Sequence, residues 1–221
     1  MNRLVSWSCK IFLSPIIKRF FIKEIWGRDN IPQKNFILAA NHQSHLDELA
    51  TGYLCLPKRY HFIGQTDQYR GLAKAALYLL YFVAGVIPLN RKSGKSKEKA
   101  IATSIELLAK GDSLIIYPEG TRTRNGKMGK GRIGAARIFL ESGVPVLPVG
   151  IVGTFELLPP GGKLKIKRIV KINIGPPLYF EKQYHKAQGL NKNSSQYKAL
   201  LMQITEIIMK KIEQLVSQIE H

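Results

Sequence analysis

Three times along this chain a short apolar run stops at a cluster of polar residues: FILAA before NHQSHLD (36–47), GVIPL before NRKSG (85–94), and SLIIY before PEGTRTRNG (113–126). Apolar runs of this length read as strands buried on both faces, which happens where helices cover a sheet on two sides. YHFIGQ (60–65) and VPVLPVGIVG (144–153) are two more such runs, and LKIKRIVKINIG (164–175) reads as a half-exposed strand with lysines on one side. Helical spacing fills the gaps. SKEKAIATSIELLAKG (96–111) offers Ser96 as N-cap and Gly111 as stop, and GAARIFLESG (134–143) ends at Gly143. Near the end, Leu201, Ile204, Ile208, Ile212, Leu215 and Ile219 fall on one helical stripe. The expectation is an α/β fold with a mixed, largely parallel sheet flanked by helices. In such sheets chemistry gathers at the loops that follow strand ends, where this sequence places its polar clusters.

A length of 221 residues suits one substantial core. With 34 Lys+Arg against 15 Asp+Glu, the net charge of +19 calls for anionic company: nucleic acid, anionic lipid, a phosphorylated small molecule or an acidic carrier protein. Cys9 and Cys55 have neither zinc nor redox spacing, and a reducing compartment is the simple inference. No apolar run reaches the length of a spanning helix; the nearest, AALYLLYFVAGVIPL (75–89), reads as a buried helix running into a strand. The first 30 residues differ in character. Trp7, Ile11, Phe12, Leu13, Phe20, Phe21 and Trp26 mix with Lys10, Lys18, Arg19 and Lys23. That is the profile of an amphipathic element lying in a membrane interface. A helix that covers the core, or a transit peptide, has a similar composition. The division expected is an interfacial helical element over 1–30 and an α/β domain over 31–221.

His42 and Asp47 are five residues apart, about 140° around a regular helix, so they share no helical face. They meet if His42 stays in the loop and Asp47 enters the first helical turn. A carboxylate on one imidazole nitrogen then leaves the other as a base. The competing account has Asp47 capping the helix and His42 packing. His45 could join them as metal ligands, but no fourth ligand or zinc spacing accompanies it. Ser44 reads as a turn residue. In PEGTRTRNG, Arg122 and Arg124 offer forked donors for phosphate oxygens beside glycines that let backbone amides approach; Arg91 is a second such clamp. Each arginine taken singly is equally a solvated surface charge. GKMGKGR lacks the spacing of a nucleotide-binding loop.

Taken together these loops resemble the glycerolipid acyltransferase family. NHQSHLD matches its HxxxxD box, GVIPLNR (85–91) its second block, YPEGTRT (117–123) its third and VPVLPVGI (144–151) its fourth, all in the family's order. The resemblance implies that His42 is the base and Asp47 its orienting partner. It assigns Arg91, Glu119, Gly120, Thr121 and Arg122 to substrate binding. It also implies direct attack by a lysophospholipid hydroxyl on an acyl thioester, with lysophosphatidic acid giving phosphatidic acid and no metal or bound cofactor. The donor would be acyl-coenzyme A or acyl carrier protein, and the setting the cytoplasmic face of an anionic membrane. Two departures from the family pattern stand out. Gln65 occupies the place of a common lysine, keeping a hydrogen-bond donor but no charge to stabilise an oxyanion. Arg132 replaces another lysine and keeps its charge.

Other acceptors fit the same four blocks: a different lysophospholipid, a lyso-amino-acid lipid or glycerol 3-phosphate. A nucleic-acid-binding protein would account for the charge, but no nucleic-acid signature is present and the basic run 163–171 carries no interleaved aromatics. An inactive membrane-binding relative is opposed by the intact His42, Asp47, Glu119 and Arg122.

Overall fold

The computed structural model describes residues 3–66 and 85–220. The helix expected in the first part of 75–89 lies outside them. Within them, seven strands form one sheet in the order β1-β7-β6-β2-β5-β3-β4. The strands are β1 (Ile22–Trp26), β2 (Ile37–Ala40), β3 (Tyr60–Gln65), β4 (Val86–Leu89), β5 (Ser113–Ile116), β6 (Val146–Val152) and β7 (Val170–Ile174). Pairing is parallel throughout except between β6 and β7. The sheet is therefore mixed and largely parallel, as expected.

Helices cover both faces. They are α1 (Arg3–Ser8) and α2 (Ser14–Phe20), joined by a π-turn at Cys9–Leu13, then α3 (Leu46–Cys55), α4 (Gly94–Ala109), α5 (Gly134–Ser142), α6 (Thr154–Leu157), α7 (Glu181–Gln188) and α8 (Ser195–Ser217). Because successive strand residues point to opposite faces, β2 divides its side chains between two cores. Ile37 and Ala39 join Leu114, Ile116 and the stripe of α8. Leu38 and Ala40 join Ile115, Leu147, Val149 and the inner sides of α2 and α3. All six apolar positions read from the C-terminal stripe are buried.

Three expectations change. The N-terminal helical element ends at Phe20, and Ile22–Trp26 forms edge strand β1 beside β7. IKEIW has the β-branched and aromatic residues of a strand, and Ile22 and Ile17 are buried with the core. The second change is in 164–175, where only Val170–Ile174 is strand. β1 begins opposite Val170 and β6 ends opposite Lys171, so the preceding residues have no ladder to join. The third concerns the start of α4. Ser93, not Ser96, is the N-cap, with an extended backbone and its hydroxyl accepting the Ser96 N–H at 3.3 Å. The Ser96 hydroxyl instead accepts the Asn90 N–H at 2.9 Å.

Helix α8 lies against β6 at Gly150, where a Cβ would stand 2.7 Å from the backbone of Leu215 and Val216. Neither backbone can yield without moving the helix. Gly150→Ala is expected to destabilise the protein by about 1–3 kcal/mol through overpacking, read as a lower urea midpoint at unchanged slope.

Candidate active site

The end of β2 is fastened before the first titratable group appears. The Asn41 amide donates to the Ile151 carbonyl and accepts the Ile151 N–H, both at 2.8 Å, extending the sheet by one rung through a side chain. His42 follows. Its N–H donates to Glu119 Oε1 at 2.8 Å, and its carbonyl accepts the Thr123 N–H at 2.9 Å. The chain then turns, and Asp47 enters the first turn of α3.

Asp47 is fully buried. Its Oδ2 accepts from His42 Nδ1 at 2.9 Å and from the N–H groups of Gln43 and Ser44 at 2.6 and 2.7 Å. Its Oδ1 has no hydrogen-bond partner among the described residues. The carboxylate accordingly binds backward to the loop and the imidazole rather than capping the helix. A carboxylate only accepts, so the proton of the neutral ring sits on Nδ1 and the Nε2 lone pair is left for chemistry. Ser44 makes the turn, donating to the Leu158 carbonyl and accepting the Leu46 N–H. His45 is exposed and lies 3.5 Å from Glu48, away from the pair.

Tyr117 was not singled out in the sequence, although it is the aromatic last residue of SLIIY. Its ring stacks on the His42 imidazole at 3.9 Å between centroids and 10° between planes. Its hydroxyl shares a hydrogen bond of 2.9 Å with Thr51 Oγ1, which donates to the Asp47 carbonyl at 2.8 Å. Burial, reinforced by the Asp47 charge, pushes the phenol well above its ordinary range and keeps it neutral.

Glu119 lies beneath the site. Oε1 holds the His42 amide, and Oε2 accepts the Gly129 N–H at 2.6 Å. Burial raises its carboxyl, and the two amides oppose that rise. Gly120 adopts a left-handed φ of 67°, with its N–H on the Tyr117 carbonyl. A Cβ there would meet the Arg132 side chain at 2.9 Å, and the Arg132 Nε donates to the Glu119 carbonyl at 3.1 Å.

His42, Gln65, Arg91, Gly120 and Arg132 line a cavity of about 480 Å³, whose walls include Ile63, Leu89, Ile116 and Ile138. Thr121 and Arg122 line a second basin of about 530 Å³, with Lys127, Lys130 and Arg132. The seven residues expected at the site therefore separate into three sets. His42, Arg91 and Gly120 face the apolar cavity with cations at its rim. Thr121 and Arg122 face the basic basin. Asp47 stands behind the first cavity as a support, Glu119 both lines the basin and holds the His42 amide, and Arg132 borders each hollow.

Two isosteric amide substitutions separate these supporting roles. In Asp47→Asn the new NH₂ can take the unpartnered Oδ1 position, so stability changes little, while the charge that would stabilise an imidazolium is lost. Activity dependent on His42 is expected to fall at least ~10²-fold. In Glu119→Gln both oxygens are already engaged, so the NH₂ must oppose an N–H of His42 or Gly129. A stability loss of about 1–3 kcal/mol is expected. Denaturant unfolding beside turnover measures both.

Residues 23–152 match the family model described as Acyltransferase. The chain is 31% identical over 176 residues to the 1-acyl-sn-glycerol-3-phosphate acyltransferase BAT2, chloroplastic, of Brassica napus, covering 78% of this chain and 50% of that protein. A 1-acyl-sn-glycerol-3-phosphate acyltransferase of Bacillus subtilis is 26% identical over 202 residues, 89% of each chain. The crystal structure of the 1-acyl-sn-glycerophosphate acyltransferase PlsC from Thermotoga maritima superposes with a TM-score of 0.68 at 25% identity, covering 98% of this chain and 80% of that one. The chain spans about half the length of the plant relatives it matches. With the family match extending over more than half of its residues, from β1 to the end of β6, this chain belongs to the acyltransferase family.

Proposed function

We propose that this chain transfers a fatty acyl group from acyl-coenzyme A or acyl carrier protein to the free hydroxyl of 1-acyl-glycerol 3-phosphate, giving phosphatidic acid. The observation that carries the reading is the His42–Asp47 pair, with Nε2 free of the carboxylate and the ring on the wall of an apolar cavity with cationic residues. The Nε2 of His42 takes the proton of the acceptor hydroxyl as its oxygen bonds to the thioester carbonyl carbon. Asp47 stabilises the imidazolium that results. Collapse of the tetrahedral intermediate breaks the carbon–sulfur bond, and the departing thiolate recovers the proton from His42. No nucleophilic side chain is required. Gln65 supplies an uncharged donor on the wall of the same cavity. The apolar wall suits an acyl chain, and Arg91, Arg132 and the Thr121–Arg122 basin suit phosphate oxygens. Glu119 contributes by holding the amides of His42 and Gly129 in place.

The same reading puts the enzyme at the cytoplasmic surface of an anionic membrane. Among the described residues no helix is long and apolar enough to cross one. Leu4, Trp7, Ile11, Phe12, Ile16 and Phe20 are nevertheless exposed beside Lys10, Lys18 and Arg19, the pattern of an element lying in the interface. Names carried by the relatives support the acceptor, since they include 1-acyl-sn-glycerol-3-phosphate acyltransferases from plants and bacteria.

Transfer of labelled palmitoyl from each thioester to lysophosphatidic acid in detergent micelles tests this function, with free thiol followed in parallel. His42→Ala is expected to lower the rate by roughly 10²–10⁴-fold, the usual range for a general base. Folded wild-type protein that gives no product with either donor would exclude lysophosphatidic acid as the acceptor.

A further inference from the structure

Residues 161–168, GGKLKIKR, are all exposed and outside any strand or helix. Leu164 and Ile166 are 50% and 69% exposed, alternating with Lys163, Lys165 and Lys167. No acidic residue occurs between Glu156 and Glu181. A single exposed leucine needs no explanation. Two large apolar side chains interleaved with cations, and with no acid in the segment, match the chemistry of an anionic bilayer surface, where apolar groups enter the interface and lysine stems reach back to headgroups.

Position strengthens the match. On one side the segment is anchored near the catalytic turn: the Lys165 N–H donates to the Leu157 carbonyl at 2.8 Å, and the next carbonyl, of Leu158, accepts the Ser44 hydroxyl at 2.7 Å. On the other side Arg168 Nε donates to the Ile22 carbonyl at 2.8 Å, and the Val170 N–H to the Phe21 carbonyl at 2.9 Å. Phe21, which takes part in that corner, directly follows the exposed Phe20 of α2. Since β7 runs antiparallel to β6, with Lys171 opposite Val152, its start lies at the end of the sheet where β6 ends, together with β2, parallel to β6, and β5, parallel to β2. His42 and Glu119 follow β2 and β5 at that end.

We propose that residues 161–168 are a second membrane-contact element, inserting Leu164 and Ile166 into an anionic bilayer beside the N-terminal apolar face. This rests on the reading of the protein as one that works at a membrane surface, and adds which end of the sheet docks. The bilayer would meet the molecule on the side of the His42 loop, shortening the path of a lipid acceptor to the base.

The test is flotation of the full chain with vesicles of phosphatidylglycerol and phosphatidylcholine in equal parts. Leu164→Ser/Ile166→Ser, and separately Lys163→Gln/Lys165→Gln/Lys167→Gln, are each expected to lower partition at least about tenfold. Unfolding midpoint, and transfer to a short-chain acceptor present as monomers, should not change. Wild type that floats while both variants stay within about twofold of it overturns this inference and leaves the membrane reading intact. Wild type that does not float overturns both. The vesicle measurement needs no turnover, so it reads out even if the proposed acyl transfer fails.

Discussion

The Glu119 carboxylate joins two parts of the chain that the sheet alone would leave apart. One oxygen holds the backbone of His42 after β2, the other the backbone of Gly129 in the loop after β5. Asp47 can orient the imidazole only once His42 itself is placed, and the stacked Tyr117 belongs to the same strand end as Glu119. A buried charge of this kind is costly unless its lone pairs are filled. Here backbone amides fill them, and the loops that provide those amides are the walls of the site.

Much of this was legible because it depends on local pattern. The apolar runs of β2, β5 and β6 show their burial in composition, whereas β3 is buried only at Tyr60 and His61, and the stripe of α8 shows its period. The five-residue interval between His42 and Asp47 can be satisfied at one place, a loop running into a helical turn, and the side chains meet there at 2.9 Å. Other features depend on neighbours far away in sequence. Ile22–Trp26 becomes a strand because Val170–Ile174 lies alongside it, and nothing within the first 30 residues reports that partner. Ser93 and Ser96 compete for one capping position, and backbone direction after β4 decides between them. The roles within PEGTRT separate for a similar reason. A motif lists residues in a row, whereas the tight turn here leaves Gly120 on the His42 cavity and Glu119, Thr121 and Arg122 on the second basin.

The residues around His42 are held by bonds that reach back to the sheet and to α3. Asn41 continues the hydrogen-bond ladder past the end of β2, so His42 stands on a rung and not on a free strand end. Tyr117 limits rotation of the ring from one side and is itself tied to α3 through Thr51. Such preorganisation is set before any ligand arrives and needs little rearrangement during reaction.

The pairing of β1 with β7 also has a consequence in time. During synthesis β1 finds no hydrogen-bonding neighbour until residues 170–174 have been made, about 145 residues later. At roughly 5–20 residues per second that interval is on the order of 7–30 s. For that period the aromatic and basic N-terminal segment is attached to a chain with no finished sheet. Under the function proposed above, a membrane surface within reach would engage that segment before the loops after β2 and β5 close, so that the fold would be completed where the lipid acceptor resides.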